Sequence, residues 1–146
     1  MVFGKLKTMI FNFFTDGAYS PAKNQGGWAY YCPELHLRVC GEQIETTNNR
    51  MELTAVIKAL EFIIDSNLEV KEITLNTDSM YVIGGLFLNW QENSNLDLWE
   101  KATDLLDEFI ARGKKLSYNY VKGHAGITEN ELVDQLAVKM SQYGYN

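Results

Sequence analysis

The stretch at residues 9–17, MIFNFFTDG, constrains the chain more than any other. Ile10, Phe11, Phe13 and Phe14 form a short, nearly continuous apolar run, and Thr15, Asp16 and Gly17 end it. A run of that length bounded by turn-forming residues suits a strand buried on both faces. A central strand that stops at an acid sets the carboxylate at the carboxyl edge of a sheet, where open α/β sheets build their sites. Taken alone, Asp16-Gly17 also reads as an ordinary turn pair.

The remaining elements follow from periodicity. Residues 20–27 are turn-rich, and 28–32 and 35–43 read as two strands joined by a tight turn at Pro33-Glu34. Short connections make these three strands antiparallel neighbours. A helix is expected over 50–66, with Met51, Ala55, Ala59 and Ile63 on one face and Val56, Leu60 and Ile64 beside them. Asn48 or Asn49 would cap it, and Asn49 with Glu52 has the spacing of a capping box. A buried strand over 72–76 runs into Thr77-Asp78-Ser79.

Residues 80–90 begin as a helix, but Gly84-Gly85 costs it roughly 2 kcal/mol against alanine, so it should be short or kinked. A helix over 96–111 turns Leu98, Ala102, Leu105 and Phe109 inward and stops at Gly113. A strand over 115–121, a loop over 123–127 and a helix over 128–143 complete the chain. Thr128 and Glu131 would box the last helix, with Leu132, Leu136, Ala137 and Met140 facing the core. The order βββ-α-β-α-α-β-α predicts an α/β fold with a five-stranded mixed sheet flanked by about four helices. Strands one to three are antiparallel; strands one, four and five are parallel.

A length of 146 residues without repeats or linkers suits one domain over 1–146. No apolar run is long enough to span a membrane and no signal peptide is recognisable, so a cytoplasmic location is expected. Cys32 and Cys40 are then expected as thiols. Two cysteines and two histidines lack zinc-finger spacing. A formal charge of −6 argues against holding nucleic acid by bulk electrostatics.

On this scaffold four acids converge on one edge of the sheet. Asp16 ends strand one and Asp78 ends strand four beside it. Glu52 lies in the first turn of the first helix, and Asp134 near the start of the last. Singly, each has a plainer role as a cap or a solvated acid. Jointly they do not, because independent caps have no reason to meet, and clustered carboxylates are costly without cations. Oxygen donors suit Mg²⁺ or Mn²⁺. Two such ions about 3.5–4 Å apart activate water and stabilise the leaving oxygen of a phosphodiester. Phosphodiester hydrolysis is the implied reaction.

The residues also resemble a known family. Thr15-Asp16-Gly17, Gly26-Gly27-Trp28-Ala29, Thr46-Thr47-Asn48-Asn49-Arg50-Met51-Glu52-Leu53, Thr77-Asp78-Ser79-Met80-Tyr81-Val82, Val121-Lys122-Gly123-His124-Ala125-Gly126, Asn130-Glu131 and Asp134-Gln135-Leu136-Ala137 occur in the order of the type 1 ribonuclease H family. The resemblance runs from about Phe11 to about Lys139. It implies an RNase H fold and Mg²⁺-dependent endonucleolytic cleavage of the RNA strand of RNA–DNA hybrids. Asp16, Glu52, Asp78 and Asp134 would be the metal-binding carboxylates, holding two ions with substrate bound. His124 would shuttle protons or aid product release. Asn48 and Asn49 would reach minor-groove base edges and sugars, and the backbone near Gly17 the ribose 2′-hydroxyls.

One departure stands out. Many members carry a lysine- and tryptophan-rich helix after the helix that follows the third acid. Residues 82–98 are too few for it, and no Lys or Arg occurs from Glu72 to Glu100. Weaker hybrid affinity and stronger salt sensitivity are expected. Arg50 and Lys122, which flank motif residues, are candidate substitutes; Lys23, Lys114 and Lys115 read more readily as solvated charge. Besides an active monomeric ribonuclease, a catalytically silent nucleic-acid-binding domain and a nuclease that relies on an auxiliary partner for substrate capture are alternatives.

Overall fold

The computed structural model describes residues 10–123 and 125–143; His124 lies outside them. The sheet comprises β1 (Ile10–Ser20), β2 (Gln25–Cys32), β3 (Leu37–Ile44), β4 (Glu72–Thr77) and β5 (Lys115–Tyr120), in the order β3-β2-β1-β4-β5. β1, β2 and β3 pair antiparallel, and β4 pairs parallel with both β1 and β5. The helices are α1 (Asn48–Asp65), α2 (Met80–Phe87), α3 (Leu96–Ala111) and α4 (Thr128–Gln142). This is the expected α/β architecture, with the expected strand directions. No helix among the described residues is long and apolar enough to cross a membrane.

β1 does not end at Asp16. It continues to Ser20, paired with β2 from Phe14↔Tyr31 to Ser20↔Gln25. Its parallel partner β4 leaves it at Phe14↔Asn76. Asp16-Gly17 therefore marks where the parallel half of the sheet stops, while the antiparallel half carries the strand onward. The carboxyl edge of β4 opens beside the middle of β1. The turn-rich segment shrinks to four residues, Pro21 to Asn24, because Gln25, Gly26 and Gly27 belong to β2.

β1 is covered on both faces, as its apolar run requires. Phe11 and Phe13 pack with Leu60, Ile63, Leu75 and Phe109 in the layer beneath α1 and α3. Phe14 meets Ala29, Val133 and Ala137 beneath α4. α4 lies close on β2 because residue 27 is glycine: a Cβ there would stand 2.7 Å from the Met140 Cβ and run into the Ala137 carbonyl. The inward face of α4 holds Val133, Ala137, Met140 and Ser141, whereas Leu132 and Leu136 are half-buried.

The helix ends correct the expected caps. Thr47, not Asn48 or Asn49, caps α1; its Oγ1 accepts from the Arg50 N–H at 3.2 Å. Asn49 is already helical, so no box with Glu52 forms. Thr128 is the first residue of α4, and the Ile127 carbonyl accepts from the Glu131 N–H at 2.9 Å, so that box is absent too. α2 is short, as expected, ending at Phe87, with the N–H groups of Leu88 and Trp90 both returning to the Gly84 carbonyl. Its glycines have a packing reason. A side chain at Gly84 would collide with the Trp90 ring, and one at Gly85 with Trp99. Close approach of two indoles offsets the lost helix propensity.

Cys32 opposes Leu37 and Cys40 opposes Ala29, so no disulfide joins them. At the amino edge of the parallel strands, Arg112 donates to the Ile64 carbonyl at 3.2 Å. Lys114 Nζ donates to the carbonyls of Leu68 and Val70, the latter at 2.6 Å. These cations satisfy acceptors left at and beyond the end of α1, so Lys114 is not available as a substitute for the missing basic helix. Lys114→Met should lower the unfolding free energy by about 1–2 kcal/mol through the lost donors. An unchanged urea midpoint would mean that water replaces the ammonium at no cost.

Candidate active site

The site forms where β1, β4 and the start of α1 meet. Asp16 and Glu52 are buried, 3% and 6% exposed, and Asp78 is half-buried. One carboxylate oxygen from each of the three lies within 4.8 Å of the others. Asp134, on α4, lines the same cavity of about 370 Å³, together with Gly17, Asn48, Asn49, Ser79 and Tyr81. Asp134 stands near enough to add to the charge around Asp16 but is not one of the tight trio.

Gly17 joins the first two acids. Its N–H donates to Asp16 Oδ1 at 2.9 Å and to Glu52 Oε1 at 2.8 Å. Any Cβ at this position would strike the α1 backbone, at 2.7 Å from the Met51 carbonyl oxygen and closer still to Glu52 N. Glycine lets β1 press against the first turn of α1, and that contact carries Glu52 to Asp16. Gly123 makes a similar approach: a Cβ there would stand 2.8 Å from Asp78 Oδ2. Ser79 caps α2, its Oγ accepting from the Val82 N–H at 3.2 Å. Asp78 is therefore not the cap of α2.

Electrostatically the site is a store of repulsion. Burial raises the Asp16 carboxyl far above the usual aspartate range, and the Glu52, Asp78 and Asp134 carboxylates raise it further. Burial likewise raises Glu52, opposed by its bond with Asp16, and Asp78 pushes it up again. The Gly17 N–H favours the Glu52 carboxylate but does not cancel these effects. Glu52 Oε2 is buried without a hydrogen-bond partner. An unpartnered buried carboxylate oxygen aligned with two further carboxylates is the donor set that a hard divalent cation fits.

The cationic candidates are placed elsewhere. Arg50 makes a two-pronged bond to Asp97, at 3.0 and 2.8 Å, and donates to Asn95 Oδ1 at 3.2 Å. The Arg50 guanidinium holds the Asp97 carboxyl down at about 2. Arg50 thus braces the short connection between α2 and α3 onto α1. Lys122 is exposed and does not line the cavity. Residue-by-residue reading missed Ser79, Tyr81 and Asn95. Tyr81 and Asn95 are joined by an Asn95 Nδ2 bond to the Tyr81 hydroxyl at 2.9 Å. Their signal was present only as members of the 77–82 block and of the polar loop. A second hollow, lined by Thr47, Asn48, Asn49, Ser94 and Asn95, adjoins the site through the two shared asparagines.

Three carboxylates at the carboxyl edge of a mixed five-stranded sheet form an all-oxygen group that could hold a hard divalent cation. The RNase H family model matches residues 8–142, and the chain belongs to the RNase H family. Among its relatives is a Ribonuclease H of Treponema denticola, 38% identical over 92% of this chain and 98% of that protein. A Ribonuclease H of Granulibacter bethesdensis is 38% identical over 92% and 94%, and one of Pseudomonas syringae pv. syringae 38% identical over 85% and 87%. The Treponema denticola comparison extends over 162 positions, more than the 146 residues of this chain, so that relative carries segments with no counterpart here.

Proposed function

We propose that this chain is an endoribonuclease that hydrolyses the RNA strand of RNA–DNA hybrids with Mg²⁺. The observation that carries it is the trio Asp16, Glu52 and Asp78, with one unpartnered Glu52 oxygen, in an RNase H-family chain. Asp16, Glu52 and Asp78 would hold the cations, with Asp134 completing the set at the rim. When bound, two such cations supply a polarised water and neutralise charge at the scissile phosphate.

The chain's own groups do the rest. The Gly17 N–H fixes the Asp16 and Glu52 carboxylates in one orientation. Asn48 and Asn49, exposed in the first turn of α1, present amides to the sugars and base edges of the hybrid at the cavity mouth. Discrimination against plain DNA would rest on ribose 2′-hydroxyls met by the backbone near Gly17. His124 would shuttle protons or aid product release, as imidazole can near neutral pH.

Purified chain in Mg²⁺ should cut the labelled RNA strand of a hybrid and leave it whole in EDTA. RNA that survives in both Mg²⁺ and Mn²⁺ overturns the proposal. A second reading, reliance on an auxiliary substrate-capture partner, is favoured by the charge of −6 and by the absence of Lys or Arg from Glu72 to Glu100. Cleavage by the isolated chain should then fall steeply as salt rises toward about 0.15 M, where the Debye length is ~8 Å. Undiminished cleavage there would count against a partner.

A further inference from the structure

A row of three asparagines crosses the parallel half of the sheet. Asn119 Nδ2 on β5 donates to Asn76 Oδ1 on β4 at 3.1 Å, and Asn76 Nδ2 donates to Asn12 Oδ1 on β1 at 3.2 Å. Asn76 Nδ2 also donates to the Thr74 carbonyl at 3.3 Å. Asn12 is anchored beyond β2: its Nδ2 donates to Glu34 Oε2 at 3.1 Å and its backbone N–H to Glu34 Oε1 at 2.9 Å. Asn76 is 3% exposed. Asparagine is a poor strand former and a costly residue to bury. Here the central amide both gives and takes, so the row is satisfied where it crosses β4.

The row stands directly behind the site. Asn76 is two residues before Asp78, and Asn119 two before Val121, whose N–H donates to the Thr77 carbonyl at 2.9 Å. Asn12 lies on the same strand as Asp16. Backbone pairing between β1 and β4 stops at Phe14↔Asn76, short of both acids. Past that rung no backbone ladder joins β1 to β4, and the strands are free to splay as sheet twist accumulates. A side-chain crossbar at the last rung restrains that splay.

We propose that Asn76, held between Asn12 and Asn119, is a positioning residue: it sets the separation of β1 and β4 at their carboxyl edge, and with it the distance from Asp78 to Asp16 and Glu52. Carboxylates that share a cation must be held to within about 0.5 Å. Loss of a group that orients ligands typically costs about 10–100-fold in metal affinity or activity. The inference rests on the metal-dependent function proposed above.

The test is a Mg²⁺ titration read in two ways: the rise in melting temperature of the protein without substrate, and the rate of hybrid cleavage. Asn76→Leu keeps the branching and the number of side-chain heavy atoms, at a somewhat larger volume, but neither donates nor accepts. It should need about tenfold more Mg²⁺ for the half-maximal response in both readings. Asn119→Ala, at an exposed position, should raise the requirement in the same direction by less than about tenfold. Val70→Ala, a core truncation at the amino edge, should lower the melting temperature without moving the metal midpoint. Variants that melt early but keep the wild-type Mg²⁺ midpoint and saturated rate would reduce the row to a structural role and overturn the inference. A wild-type chain that neither responds to Mg²⁺ nor cuts overturns the functional reading as well, so the two failures are distinguishable.

Discussion

Asp16→Asn should lower hybrid cleavage by about a thousandfold or more and, in EDTA, raise the melting temperature. The two effects share one cause. Asp16 is a buried carboxylate among Glu52, Asp78 and Asp134, the arrangement that divalent cations require and that the metal-free fold must tolerate. If Asp16 holds the cations as proposed, losing it removes several kcal/mol of stabilisation from the transition state, at about 1.4 kcal/mol per tenfold in rate. An amide at the same place carries no charge to repel Glu52. If about 1–2 kcal/mol of repulsion is relieved, the melting temperature rises by about 3–6 °C. The sign of the pH dependence follows from the raised carboxyls of Asp16 and Glu52. Their contribution to stability is fully present below the ordinary carboxylate range. It is lost as the pH climbs through the folded-state values. In EDTA the wild-type melting temperature should fall between about pH 5 and pH 8, and Asp16→Asn should flatten the slope. A melting temperature that drops on substitution would show instead that the Gly17 N–H bond to Asp16 outweighs the repulsion.

Gly17→Ala is expected to damage both fold and reaction. The added methyl meets the backbone of Met51 and Glu52, which cannot give way as a flexible side chain could. β1 must lift from α1, at a cost of about 2–3 kcal/mol, or about 5–10 °C in melting temperature. The same movement carries off the N–H that binds both Asp16 and Glu52. A displacement near 1 Å at reacting groups costs about 100-fold in rate. Thermal melts and cleavage rates at saturating Mg²⁺ measure the two parts separately. Wild-type values in both would mean that the helix shifts freely and that the close contact is incidental.

The order of strands and helices was legible because periods of 2 and 3.6 are carried by large apolar residues. Phe11 and Phe13 announce a buried strand, and Met51, Ala55, Ala59 and Ile63 announce a helix face. The local ends were harder. In Thr46-Thr47-Asn48-Asn49 every residue is a competent cap, and only the path of the chain selects Thr47. Asp16 was misplaced at a strand end because the sequence cannot show that β4 stops early while β2 continues alongside β1. That Asp16, Glu52, Asp78 and Asp134 line one cavity was legible, since their positions follow from element order, although Asp134 stands outside the tight trio. The fate of Arg50 depended on Asp97, 47 residues away, which no local pattern links to it. The asparagine row was invisible for the same reason: each member alone reads as a polar break in a strand, and only the lateral register turns three breaks into a crossbar.

The activity proposed for this carboxylate cluster is cleavage of RNA paired to DNA. Its most direct measurement incubates the purified chain and Asp16→Asn with Mg²⁺ and three labelled substrates side by side: an RNA–DNA hybrid, double-stranded RNA and single-stranded RNA. The wild-type chain should cut the RNA of the hybrid and spare the other two, and Asp16→Asn should cut none. Equal cutting of all three, or the same hybrid cleavage by Asp16→Asn, would contradict it.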